Sequence, residues 1–155
     1  IAQFINDMYQ KYPDSVFILT GDHAQRWYVN PNPNIYETVA VPFVLFGKGI
    51  KKLAEADLSG SHMDIAATVM ELAAPKDFQY YSLGQNMLAA PALGLHNMYW
   101  IYGDNMGDIS NKDTVINTQG AAPADAQKIQ DINARVQALR KIAWWRIMKG
   151  TELRD

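Results

Sequence analysis

The sequence predicts an α/β fold: a partial sheet with flanking helices, then a small Tyr/Trp-rich segment, then a long C-terminal helix. Three observations predict it. First, Val16, Phe17, Ile18 and Leu19 form a short run of β-branched and other apolar residues, which reads as a strand buried on both faces. Second, an amphipathic helix over 2–11 leads into that strand through a Pro13-Asp14-Ser15 turn, which makes half of a βαβ unit. Third, Ile129, Ile132, Val136, Leu139 and Ala143 repeat at spacings of three and four, so a helix is expected over 124–149 with Gly150 as its cap.

The elements between follow from local chemistry. Residues 24–34 end in NPNPN, a loop with polyproline tendency. ETVAVPFVLFG, 37–47, reads as a second strand region, and Pro42 within it favours an edge, a bulge or a strand start. Gly47 to Lys52 then form a turn and an exposed basic patch. Residues 59–75 are expected to be helical, with Ser59 or Ser61 as the cap, Asp64 in the first turn, a packing stripe of Ile65, Val69 and Leu72, and Pro75 as the stop. Residues 76–110 suggest short strands and turns, with Tyr99 to Tyr102 the best strand. Residues 111–123 are polar and read as a linker.

Composition bounds the function. A 155-residue chain that is 48% hydrophobic can bury a core. A net charge of −2 carries no nucleic-acid signature, and basic residues gather only near the C-terminus. There is no cysteine, which excludes thiol nucleophiles, disulfides and zinc–thiolate sites. No apolar stretch is long enough to span a bilayer. The chain opens without Met and in mid-helix, so a piece of a longer protein is expected.

Asp22 and His23 stand just past the carboxyl end of the first strand, the edge where open α/β sheets bind ligands. Carboxylate and neutral imidazole are both ligands for zinc or manganese; the bland alternative is a turn with a bystander imidazole. His62, at a helix start, either reaches a ligand or simply lies exposed. Arg26 suits phosphate or sulfate through its planar guanidinium, or is a surface Arg beside a packed Trp27. Trp144, Trp145, Arg146 and Lys149 mark either a membrane interface or a docked helix with one Trp packed inward and the other at the rim. His96 reads as structural.

FILTGDH, ETVAVPFVLFGKGI and SHMDIAATVMELAAPKDFQYYSLGQNML, in that order, resemble the C-terminal part of the sulfatase-like group of the alkaline phosphatase superfamily, and within it the lipoteichoic acid synthase type of phosphoglycerol transferase. The resemblance covers about residues 1–90. It implies that 1–110 is the C-terminal part of an alkaline-phosphatase-like α/β catalytic domain, with 111–123 a linker and 124–155 a helix and tail. It implies that Asp22 and His23 are metal ligands, and that His62 lies in a segment where some members place a His that binds metal or substrate. The imidazole favours manganese, then zinc, over calcium, and the guanidinium makes Arg26 a candidate substrate contact. Ala67 stands before Thr68 where the family often has Pro, a departure expected to affect helix geometry and not chemistry. The family's nucleophile matches no residue here and is expected in a missing N-terminal half.

The implied activity is transfer or hydrolysis of a phosphate ester, such as a lipid-linked glycerophosphate, through a metal-assisted covalent intermediate at an extracytoplasmic membrane surface. A true sulfuric ester hydrolase is the alternative, although such enzymes more often carry Asn at the position of His23. A non-catalytic remnant binding a partner or a membrane surface is the other alternative. No nucleic-acid partner is expected. An exposed sheet edge would favour pairing with the missing half or a dimer.

Overall fold

The computed structural model describes residues 1–24, 30–50, 59–89 and 92–150. It divides into two compact units, Ile1–Leu53 and Ala54–Asp155. The mixed α/β character and the long C-terminal helix agree with expectation.

In the first unit, helix α1 (Ala2–Lys11) is followed by strand β1 (Val16–Thr20), helix α2 (Ile35–Val39) and strand β2 (Phe43–Gly47). β1 and β2 pair antiparallel, with Val16 opposite Gly47 and Thr20 opposite Phe43. The helix, turn and strand of the expected βαβ half-unit are present as α1 and β1, while the described neighbour of β1, β2, runs antiparallel to it. Tyr9, Phe17 and Phe46 hold α1 to this pair through ring contacts of 6.2 and 5.1 Å between centroids. Lys48 pairs with Asp14 beside the turn that enters β1.

No described residue of this unit is buried. β1 is thus not buried on both faces, as its sequence predicts. Phe17 to Leu19 are half-covered, while Val16 and Thr20 are exposed. One helix and one neighbouring strand cannot close a core around such an apolar run.

Residues 37–41, expected as strand, are divided between α2 and the approach to β2. Asn34 and Glu37 form a reciprocal capping box, with Glu37 N donating to Asn34 Oδ1 at 3.0 Å and Asn34 N to Glu37 Oε2 at 2.8 Å. The strand begins after Pro42, one of the expected solutions.

The second unit contains helix α3 (His62–Ala73), strands β3 (Gly94–Leu95), β4 (Tyr99–Tyr102), β5 (Asn105–Asp108) and β6 (Val115–Asn117), and helix α4 (Ala126–Lys149). The strands form an antiparallel meander in chain order. Residues 115–117 of the expected linker are the outer strand of that sheet. Leu93, Trp100, Ile109, Ile132 and Val136 form the core, so the amino-terminal half of α4 lies over the meander. Gly107 sits opposite Trp100, and a Cβ there would come within 2.4 Å of the indole, so only glycine lets the ring lie flat. Tyr102 is flanked from α4 by Lys128 and Arg135, 6.0 and 5.6 Å from its ring.

α3 turns a different face inward from the one predicted. Ser61 caps it, as one of the two expected residues; Ser59 is buried and instead binds Ala92 O and Gly103 N. The buried face carries Asp64, Ala67 and Thr68, whereas Val69 and Leu72 of the expected stripe are exposed. Asp64 Oδ2 accepts from Ser61 N at 2.7 Å and Ser61 Oγ at 3.1 Å, and its Oδ1 from Gln85 N at 2.8 Å. Thr68 Oγ1 donates to Asp64 O and accepts from Met87 N. Polar demand from the loop backbone sets the rotation of α3. Gly84 makes the approach feasible, since a Cβ there would lie 1.9 Å from Met63 O.

Asp64→Ala leaves Gln85 N and the cap without their acceptor, and is expected to lower stability by about 3 kcal/mol. Urea unfolding of the whole chain measures it. Asp108 titrates below the ordinary aspartate range because the Ser110 hydroxyl, then the backbone N–H groups of Ser110 and Asn111, bind its ionised form. Its stabilisation is expected to be full above the unfolded aspartate value and to disappear as pH falls through the lowered value. An NMR titration checks this, and Ser110→Ala should move the midpoint back up.

Candidate functional site

β1 ends at Thr20, and Gly21, Asp22 and His23 continue past its carboxyl end. The pair is open to solvent, with the Asp22 side chain 93% and the His23 side chain 63% exposed. His23 Nδ1 lies 2.6 Å from Ala24 O. A carbonyl can only accept, so Nδ1 carries the proton and donates it. In the neutral ring Nε2 then keeps its lone pair. That atom is 3.8 Å from Asp22 Oδ1. Two lone-pair donors face one neighbourhood, and a proton on Nε2 or a cation near both relieves their repulsion.

The donor set fits a divalent metal. With bonds of about 2.1 Å to imidazole nitrogen and carboxylate oxygen, one ion reaches two atoms at this separation. The backbone bond on the far nitrogen is the arrangement that fixes a metal-binding imidazole in its tautomer. The pair is also incomplete, since a structural or catalytic ion takes four or more ligands. Among the described residues no group of three or more His, Asp or Glu gathers that could hold a metal.

The other expected residues are placed separately. His62 is the first residue of α3, exposed, in the second unit. Arg26 lies outside the described residues. Trp144 and Trp145 are both exposed, at 65% and 46%, which corrects the expectation that one packs inward. Ala143 and Arg146 instead continue the inward stripe of α4. His96 stacks on Tyr99 at 5.9 Å, a structural contact as expected. An open depression of about 600 Å³ between α1 and β2, lined by Gln3, Asn6, Tyr9, Gln10 and Phe46, includes neither Asp22 nor His23.

Sequence reasoning did not find the role of Ala24. A backbone carbonyl leaves no mark in residue type, so only the geometry reveals it. The capping box of α2 had a signal, Asn34 and Glu37 three apart, which the neighbouring prolines obscured.

Residues 1–75 match the family model described as Sulfatase. The match takes in just under half of the chain, from α1 to the end of α3, and with it Asp22, His23 and His62. Over that segment the chain is similar to sulfatases. No curated protein and no solved structure matches the chain.

Neutral His23 is expected to be found with its proton on Nδ1. Nitrogen-edited NMR of the histidines should show an unprotonated Nε2 in wild type, and a mixed tautomer would contradict the Ala24 contact.

Proposed function

We propose that this chain supplies two metal ligands of a sulfatase-like phosphoryl transferase or hydrolase, of the phosphoglycerol transferase type. The observation that supports it is the Asp22–His23 pair: two converging donors, one tautomer-locked, at the carboxyl end of a strand within the sulfatase-like segment.

Asp22 would contribute a carboxylate oxygen and His23 its Nε2 atom. Ala24 O holds the imidazole ring in the binding tautomer. When bound, a divalent cation lowers the pKa of a hydroxyl and neutralises charge on the group being transferred. The imidazole favours manganese or zinc over calcium, which prefers all-oxygen shells. It favours phosphate over sulfate esters on the same ground, because the calcium-dependent sulfuric ester hydrolases resemble this chain less at His23. No residue of the chain is assigned as nucleophile. The attacking hydroxyl and the remaining ligands are proposed to come from another segment of a longer parent, whose activity would pass through a covalent intermediate at an extracytoplasmic membrane surface.

His62 and Arg26 are proposed substrate contacts, the imidazole through a ring N–H and the guanidinium through its planar fork, both suited to the oxygens of a phosphate or sulfate ester. The incompletely covered first unit is consistent with a sheet completed by further strands.

Titration calorimetry with manganese, then zinc, is expected to give binding to this chain that Asp22→Ala/His23→Ala abolishes. Binding that persists in the double variant overturns the assignment. In the longer parent, either single substitution should reduce cleavage of a chromogenic phosphate diester by about 100-fold or more. Faster turnover of a chromogenic sulfate ester than of the phosphate would select the sulfuric ester alternative.

A further inference from the structure

α4 changes character along its outward face. The inward stripe runs through Ile129, Ile132, Val136, Leu139 and Ala143 to Arg146, whose guanidinium lies 5.7 Å from the Tyr81 ring. Opposite that stripe, the first turns present Gln127, Gln130, Asp131, Ala134 and Ala138, an ordinary solvated face. From Lys141 onward the same face presents Trp144, Trp145, Met148 and Ile142, with Lys141 and Lys149 among them. Trp144 and Met148 are 65% and 63% exposed, and Ile147 beside them 74%. Large apolar groups in a cluster of this kind mark an interaction surface.

Charge identifies the occupant. From Ile132 to Gly150 the chain carries Arg135, Arg140, Lys141, Arg146 and Lys149 and no acidic residue. Three of the five, Lys141, Arg146 and Lys149, fall on the same final turns as the tryptophans. Tryptophan places an apolar ring and an N–H at the level of lipid headgroups, and lysine extends an aliphatic stem along the apolar layer with its ammonium in the headgroups. Among the described residues no helix is long and apolar enough to cross a membrane, so this segment would lie on a bilayer and not through it.

We propose that the last turns of α4, from Lys141 to Lys149, form an interfacial site for an anionic lipid surface. Trp144, Trp145 and Met148 enter the headgroup–acyl boundary, and Lys141 and Lys149 bind lipid phosphates. The proposal is independent of the metal site, whose residues lie in the other unit.

The test is co-sedimentation of the whole chain with vesicles of phosphatidylcholine alone and with 30% phosphatidylglycerol, at physiological salt. The expected result is binding to the anionic vesicles, with a blue shift of tryptophan emission. Lys141→Gln/Lys149→Gln should weaken it by roughly tenfold or more. Trp144→Ser/Trp145→Ser should remove it, with circular dichroism unchanged because both side chains are exposed. Absence of binding to anionic vesicles overturns the proposal, as does binding that survives the tryptophan double variant. Self-association without lipid, lost in that variant, would assign the face to a second copy of the chain and overturn the lipid reading too.

Discussion

Asp64 is 1% exposed, and among the described residues no cation lies against it. A carboxylate so placed is tolerable only if donors replace water on both oxygens. Here Ser61 supplies two, the loop backbone at Gln85 a third, and the amino-terminal end of α3 a favourable field. The rest of the arrangement follows from meeting that demand. The loop must come close enough for Gln85 N to reach, so Gly84 must lack a side chain. Thr68, one turn on, takes the next free loop donor at Met87. Ser59, just before the cap, ties the same region to Ala92 and Gly103 at the meander. One buried acid thus sets the rotation of a helix and the path of a loop.

The same clamp gives a physical meaning to the spacing Asp64-x-x-x-Thr68 and to the phrase YYSLG. The helix supplies the polar groups, Tyr80 and Gly84 of the phrase bring the chain against the helix, and Gln85 and Met87 just after it supply the backbone donors. Their role is structural; the proposed metal ligands, Asp22 and His23, stand apart from them on a strand end open to solvent. The two units differ accordingly. The second has a closed core around Trp100; the first has ring contacts and a strand pair but, among its described residues, none that is buried. Regions of low burial open most easily, and binding sites are often built on them.

Periodicity carried the long elements. α1 and α4 were legible within two residues of their ends, because the 3.6-residue repeat and the Gly150 cap are local signals. The strand at 16–20 was also legible, but its environment was not: an apolar run tells what a strand prefers to touch, not what is there to cover it. The α3 stripe failed for the opposite reason. Ile65, Val69 and Leu72 have the apolar spacing of a core face, yet hydrogen bonds to Asp64 and Thr68 outranked it. Residues 37–41 failed because β-branched Thr38 and Val39 read as strand while a cap three residues long decided for helix. For the site, Asp22 and His23 could be named from residue type and position. Further ligands for the proposed metal could not, since ligands converge through folding and leave no spacing rule in one segment.

The order of the strands has a kinetic consequence. In the meander β3-β4-β5-β6, neighbours in space are neighbours in sequence, joined by short turns. Closing such turns takes little chain entropy, and local topologies fold quickly. β1 and β2 must first bring together Thr20 and Phe43 across the whole of α2 and the Pro-rich loop. On a growing chain the first unit leaves the ribosome earlier and yet has the slower closure and the smaller reward for it. The strand that leads to Asp22 and His23 therefore waits longer for its partner than the strands of the meander do, and its safe passage depends on how soon it finds a strand to lie beside.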